Sequence, residues 1–202
     1  MNKIIKTIVI VSFITLFSGC LNKTLPSNKV YNLSISENCC QNNFKKKRLV
    51  LKVLEPVASK HLNNHSIYYS SEKYRLQTYK LSRWSEIPSK MILEVITSKL
   101  DNLNLYENII TSYIYAKPDY TLQSELLEFK QIIDKNSSYS NLKIKFYLIK
   151  NNNEKTIISK TFKYQTKSKE INAFGAVEAQ NESMKNLIKD LSSWIYQHTK
   201  EN

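Results

Sequence analysis

An α+β domain, with a mainly antiparallel mixed sheet and two helices packed on one face, is the fold this sequence predicts. Three observations carry it. Short runs of alternating apolar and polar residues recur on both sides of one helical stretch, and a second helical stretch closes the chain. In both helical stretches the apolar residues return every three or four positions, giving each a single apolar face. No internal repeat and no second linker divides the 183 residues that follow residue 19, so strands and helices belong to one layered domain.

The elements follow in order. Val30, Leu33 and Ile35 mark a first short strand over residues 30–35. Residues 49–54 form a second, apolar on both sides of the pleat as a central strand requires, and Pro56 ends it. Residues 57–65 read as a loop. Residues 67–69 and 74–79 then make a hairpin in which Tyr74, Leu76 and Thr78 share a face. Pro88 suits the first turn of a helix, and Ile92, Ile96, Leu100 and Leu103 behind it form an apolar stripe, so a helix spans residues 88–102. Residues 106–111 give a short strand, and residues 120–133, 142–150 and 156–165 give three more. In the segment 142–150, Ile144, Phe146 and Leu148 alternate with Lys143, Lys145 and Tyr147, the pattern of a sheet with one wet face. Val177, Met184, Leu187, Leu191 and Ile195 define the closing helix. With only two glycines in the chain, turns rely on Asn, Ser and Pro.

The first twenty residues carry an export signal. Lys3 and Lys6 begin it, residues 4–17 are mostly apolar, and the small residues Ser18 and Gly19 precede Cys20. The apolar run is shorter than the roughly 18–20 residues that cross a bilayer comfortably, which argues against a retained span. Leu16-Phe17-Ser18-Gly19-Cys20 resembles a bacterial lipobox, with Phe17 where an aliphatic residue is usual. The expectation is cleavage before Cys20 and acylation of its thiol. Residues 1–19 are then the signal peptide, 20–28 a lipidated tether and 29–202 the domain. Several acyl chains on one residue anchor a protein stably where a single chain does not. Leu21 replaces the Asp that retains lipoproteins in the inner membrane of enterobacteria, which favours the periplasmic face of the outer membrane.

Composition sets further bounds. The formal net charge is +13, and removing Lys3 and Lys6 with the signal lowers it to +11. A basic excess raises nucleic acid and anionic lipid as partners. Export argues against nucleic acid and leaves anionic headgroups or an acidic protein, unless the excess only reflects a Lys- and Asn-rich codon bias. Lys45-Lys46-Lys47-Arg48 is a run that could meet headgroups or form a solvated loop. Once Cys20 is acylated only Cys39 and Cys40 remain. Adjacent Cα atoms are about 3.8 Å apart and bridges prefer about 4.4–6.8 Å, so no disulfide framework is expected.

An enzyme needs a constellation, and none assembles from the sequence. His61 and His65 have a metal-like spacing but sit in a predicted loop without a nearby Glu in the hydrolase position. There is no glycine-rich phosphate loop, nucleophile elbow or Cys-x-x-Cys pair. No catalytic residue, metal site or cofactor is expected.

The order of motifs is more informative than any one of them. Tyr31-x-Leu33 and Leu54-Glu55-Pro56-Val57 come first, followed by Ile67-Tyr68-Tyr69 and Leu76-x-x-Tyr79. Arg83-Trp84 before the Pro88 helix, Leu100 with Leu103, and Ala176-Val177-x-Ala179 complete the set. Behind a lipobox this series resembles the ABC-type transport auxiliary lipoproteins, the group that includes paraquat-inducible protein C. The resemblance implies a non-catalytic part of a mammalian-cell-entry type lipid transport system. Its partner would be that system's periplasmic substrate-binding protein, docked at the outer membrane, with phospholipid and a second copy of the chain as further candidates. A structural lipoprotein of a secretion or pilus machine is the alternative. Arg83 and Trp84 are the candidate partner-binding residues, because Arg and Trp are enriched at interface hot spots. The alternative for that pair is a core-capping Trp84 beside a solvated Arg83. Tyr68, Tyr69, Tyr74, Tyr79, Tyr113 and Tyr115 form either an aromatic surface or the packing of a half-buried sheet.

Overall fold

The structure is a computed structural model that describes residues 27–36, 44–112, 114–151 and 155–201. Cys20 with its lipobox, Cys39, Cys40, Tyr113 and the Asn152-Asn153 link lie outside the described residues.

Nine strands and two helices are described. They are β1 (Lys29–Tyr31), β2 (Lys47–Val53), β3 (Val57–Ala58), β4 (Ser66–Glu72), β5 (Arg75–Trp84), α1 (Pro88–Asn102), β6 (Tyr106–Ile110), β7 (Tyr120–Asp134), β8 (Ser137–Lys150), β9 (Lys155–Lys167) and α2 (Ala173–His198). The α+β architecture is as the sequence predicts, and α1 has the expected bounds. Two elements are additional. β3 and a single 3-10 turn at Lys60–Leu62 occupy the stretch read as loop.

The sheet is organised by β7. Along one edge it pairs antiparallel with β8 through nearly its whole length, and β8 pairs antiparallel with β9. Along its other edge it takes three parallel partners in succession: β2 at Leu51–Tyr120, β3 at Val57–Glu125 and β4 at Tyr69–Gln131. β6 extends the β2 side in parallel, while β5 and then β1 extend the β4 side. Long antiparallel ladders thus alternate with short parallel ones. The parallel pairs arise because the connections from β2, β3 and β4 to β7 are long crossovers, which hairpins cannot provide.

β8 explains the shape of the core. Leu142, Ile144, Phe146 and Leu148 face inward and are at most 1% exposed. Against them pack Met184, Leu187, Ile188, Leu191 and Ile195 of α2, with Ile92, Ile96 and Leu100 of α1 in the same cluster. β8 begins at Ser137, five residues before the predicted strand, because its inward Ser138 and Ser140 are polar and break the hydrophobic pattern. Ser138 earns its place by accepting a hydrogen bond from Gln131 Nε2 at 2.9 Å, and Ser168 Oγ accepts from the same nitrogen at 3.3 Å.

The helix ends have local causes. Pro88 opens α1 and Ile87 before it is extended, so the missing N–H is one the first turn leaves unpaired anyway. Asn104 closes α1 with φ of 51° and donates its N–H to Asp101 O at 2.8 Å, doing the work glycine usually does after a helix. Asn172 caps α2 by accepting from Gly175 N at 2.9 Å. At the far end of α2, Lys47 Nζ donates to the Tyr196 and Thr199 carbonyls and lies 3.9 Å from the centre of the Tyr196 ring. A cation there satisfies carbonyls that the helix cannot and suits the negative end of its dipole.

Three buried or half-buried tyrosines make the fold sensitive to alkali. Burial, with Tyr69 close by, pushes the Tyr79 phenol up to about 12. Burial also raises Tyr106, offset in part by its bond with Thr199, and raises Tyr164, whose hydroxyl bonds Asp190. Between pH 10 and 12 the unfolded chain loses protons that the folded chain keeps, so stability is fully present below pH 10 and declines as pH rises through 12. Circular dichroism and tyrosinate absorbance followed together should show a set of tyrosines ionising only as helix signal is lost. Ionisation of all of them near pH 10 with the fold intact would contradict this.

Candidate functional site

The chain enters the domain at Ser27, beside the edge strand β1, whose residues Lys29 and Tyr31 pair with Ser82 and Trp84 of β5. Between this edge and the start of α2 lies a groove of about 550 Å³, lined by Ser27, Lys29, Leu81, Ala173 and Phe174 among others. A second groove of about 600 Å³ runs between Ser34–Ser36 and α2 and shares Phe174 with the first.

Local structure places these groups. The Asn172 cap starts the helix so that Ala173, Ala176, Val177 and Gln180 are buried, and Phe174, about 100° round the helix from Ala173, is left 47% exposed. Leu81 is 48% exposed and Ile171 46%. Lys29 and Lys80 are exposed on the same side. Lys169 near the second groove is paired with Glu178 at 3.0 Å. The floor is polar: Tyr79 donates to Gln131, whose amide holds Ser138 and Ser168. The site thus brings together an apolar rim, exposed lysines and the entering chain.

The sequence-predicted residues are distributed differently. Trp84 is 2% exposed, with its ring 5.4 Å from that of Phe129 and its N–H donated to His65 O at 2.8 Å. Arg83 beside it is exposed, across from Val30 and Ser66. The pair therefore points two ways, with Trp84 closing the core and only Arg83 facing out. Tyr69 and Tyr79 pack on each other at 4.6 Å, and Tyr68 is half-buried. Tyr74 and Tyr115 are exposed but belong to different ends of the domain. Tyr74 also has φ of 70°, a conformation that normally calls for glycine or asparagine.

The Lys45-Lys46-Lys47-Arg48 run lies near the end of α2, with Lys47 taken up by the helix carbonyls. The entry groove is at the helix start, about 39 Å away for 26 residues. His61 bonds Ser59 and packs edge-on to Tyr68, while His65 bonds the Trp84 carbonyl, so the two rings serve separate neighbours. Among the described residues no group of three or more His, Cys, Asp or Glu side chains is placed to hold a metal, and no helix is long and apolar enough to cross a membrane.

Sequence reasoning passed over Leu81, Ile171 and Phe174. A signal existed for Phe174, an aromatic off the apolar stripe of its helix. The meeting of residue 29 with residue 174 had none.

The structure thus defines a curled α+β domain with apolar grooves flanking the entering chain. The chain belongs to the ABC-type transport auxiliary lipoprotein component family, whose model matches residues 31–192. The fold is similar to that of protein XCC0632 from Xanthomonas campestris, at 14% identity and a TM-score of 0.77, covering 83% of this chain and 94% of that one. A second crystal structure, of an uncharacterised protein, aligns at 12% identity and a TM-score of 0.66, covering 84% of this chain and 99% of that one. No curated protein matches the chain.

Proposed function

We propose that this protein is a lipid-anchored, non-catalytic component of a mammalian-cell-entry type transport system, holding the periplasmic substrate-binding protein at the outer membrane. The observation that carries the reading is the family match, which spans nearly the whole core, from Tyr31 in β1 to Ser192 in α2. The lipobox supports it from the other end of the chain. With Cys20 acylated, the eight residues 21–28 extend at most roughly 25–30 Å, enough to let a rigid domain meet a partner without leaving the bilayer. Arg83 is the exposed member of the predicted contact pair and remains its candidate.

Affinity purification from envelope membranes after mild crosslinking tests the reading. It should recover a mammalian-cell-entry type substrate-binding protein together with the ATPase and permease of the same system. Recovery of secretion or pilus components in their place would overturn it.

A further inference from the structure

We propose that the groove side of the domain, lined by Lys29, Lys80, Leu81 and Phe174, rests on the membrane itself and binds anionic headgroups. The inference depends on the lipoprotein reading above and adds an orientation to it.

Three independent features point the same way. The first is position. Ser27 lines the groove, and Cys20 is seven residues earlier, so the anchor holds this side within roughly 25 Å of the bilayer. The second is surface chemistry. Leu81 and Phe174 line the groove and are each nearly half exposed, as is Ile171 next to the Asn172 cap. Side chains of this size enter the boundary between headgroups and acyl chains without needing to span it.

The third is charge. Lys29 and Lys80 form no ion pair among the described residues, while the acidic groups nearby are engaged, Glu178 by Lys169 and Glu170 by Asn172. Lysines flanking exposed apolar groups match an anionic lipid surface. The opposite end has its own exposed apolar residues, Ile114 and Tyr115, beside the start of β7. It lies about 35 Å along β7 from Gln131, which Tyr79 ties to the groove. In this orientation that end faces the periplasm.

The test uses the full acylated protein in vesicles of phosphatidylethanolamine and phosphatidylglycerol whose acyl chains carry bromine, a contact quencher of indole fluorescence. Trp84 and Trp194 are buried, so the unsubstituted protein supplies the baseline. Phe174→Trp and Leu81→Trp report on the groove side, and Tyr115→Trp reports on the far end. The mass of the Cys20 peptide establishes acylation first. Emission from the two groove reporters should be quenched and blue-shifted, with Tyr115→Trp unaffected. Leaving out phosphatidylglycerol, or introducing Lys29→Glu with Lys80→Glu, should reduce the quenching. Acylated protein whose reporters are all unquenched, or quenched most at Tyr115→Trp, overturns the proposal, as would a groove covered by a second copy or a protein partner. An unacylated Cys20 overturns the lipoprotein reading as well, so the two failures are distinct.

Discussion

Replacing Trp84 with alanine is expected to lower the free energy of unfolding by about 3–5 kcal/mol, the range for deleting a large buried aromatic. The side chain is 2% exposed and packs at a tilt against Phe129 where the end of β5 meets the core. Neighbouring strands are fixed by backbone hydrogen bonds and cannot collapse into the space it leaves. Arg83→Ala, by contrast, should change stability by no more than about 0.5 kcal/mol, because the side chain is exposed. Urea denaturation of both variants measures the difference. A loss below about 1 kcal/mol for Trp84→Ala would mean that the indole is dispensable to the core, and would return it to consideration as a contact residue.

Gly175→Ala is the second large effect, and its sign is not obvious. Alanine favours a helix over glycine by about 1 kcal/mol, so propensity alone predicts stabilisation. Space decides otherwise. A methyl group at this position would sit 2.2 Å from Glu170 O and 2.9 Å from Glu170 C, both backbone atoms. Relief requires moving the segment that leads from β9 into α2, which also carries the Asn172 cap and the Glu170 carbonyl near Ser138. Overpacking of this kind costs about 1–3 kcal/mol and exceeds the propensity gain. A lower melting temperature for Gly175→Ala is expected, and a higher one would show that the segment yields freely.

Local signals in the sequence led to correct local structure. Pro88 and the Ile92, Ile96, Leu100 stripe define α1 because a first-turn proline and a helical period act within one element. The failures share a different cause. Ser138 faces inward because Gln131 and Ser168 supply a polar interior at that end of the sheet, a partnership between distant segments. β3 has two residues and exists only because β7 passes beside it. The parallel pairings were equally hidden, since β7 shows the same alternation whichever way its neighbours run. At the candidate site, an exposed Phe174 was legible from its helix position, but its meeting with Leu81 and Lys29 depends on how β5 and β1 lie against α2.

The single strand that accepts β2, β3 and β4 on one edge and β8 on the other also sets the order in which the molecule can be assembled. A chain made from its N-terminus presents those three early strands before their common partner exists. β7, β8 and β9 are joined by short links and can pair as soon as they are made, since closing a short loop loses little entropy. The earlier strands then add across gaps of more than sixty residues, the slow kind of contact. Synthesis therefore runs forward while assembly runs backward, and residues 120–167 are the template on which residues 47–72 fold.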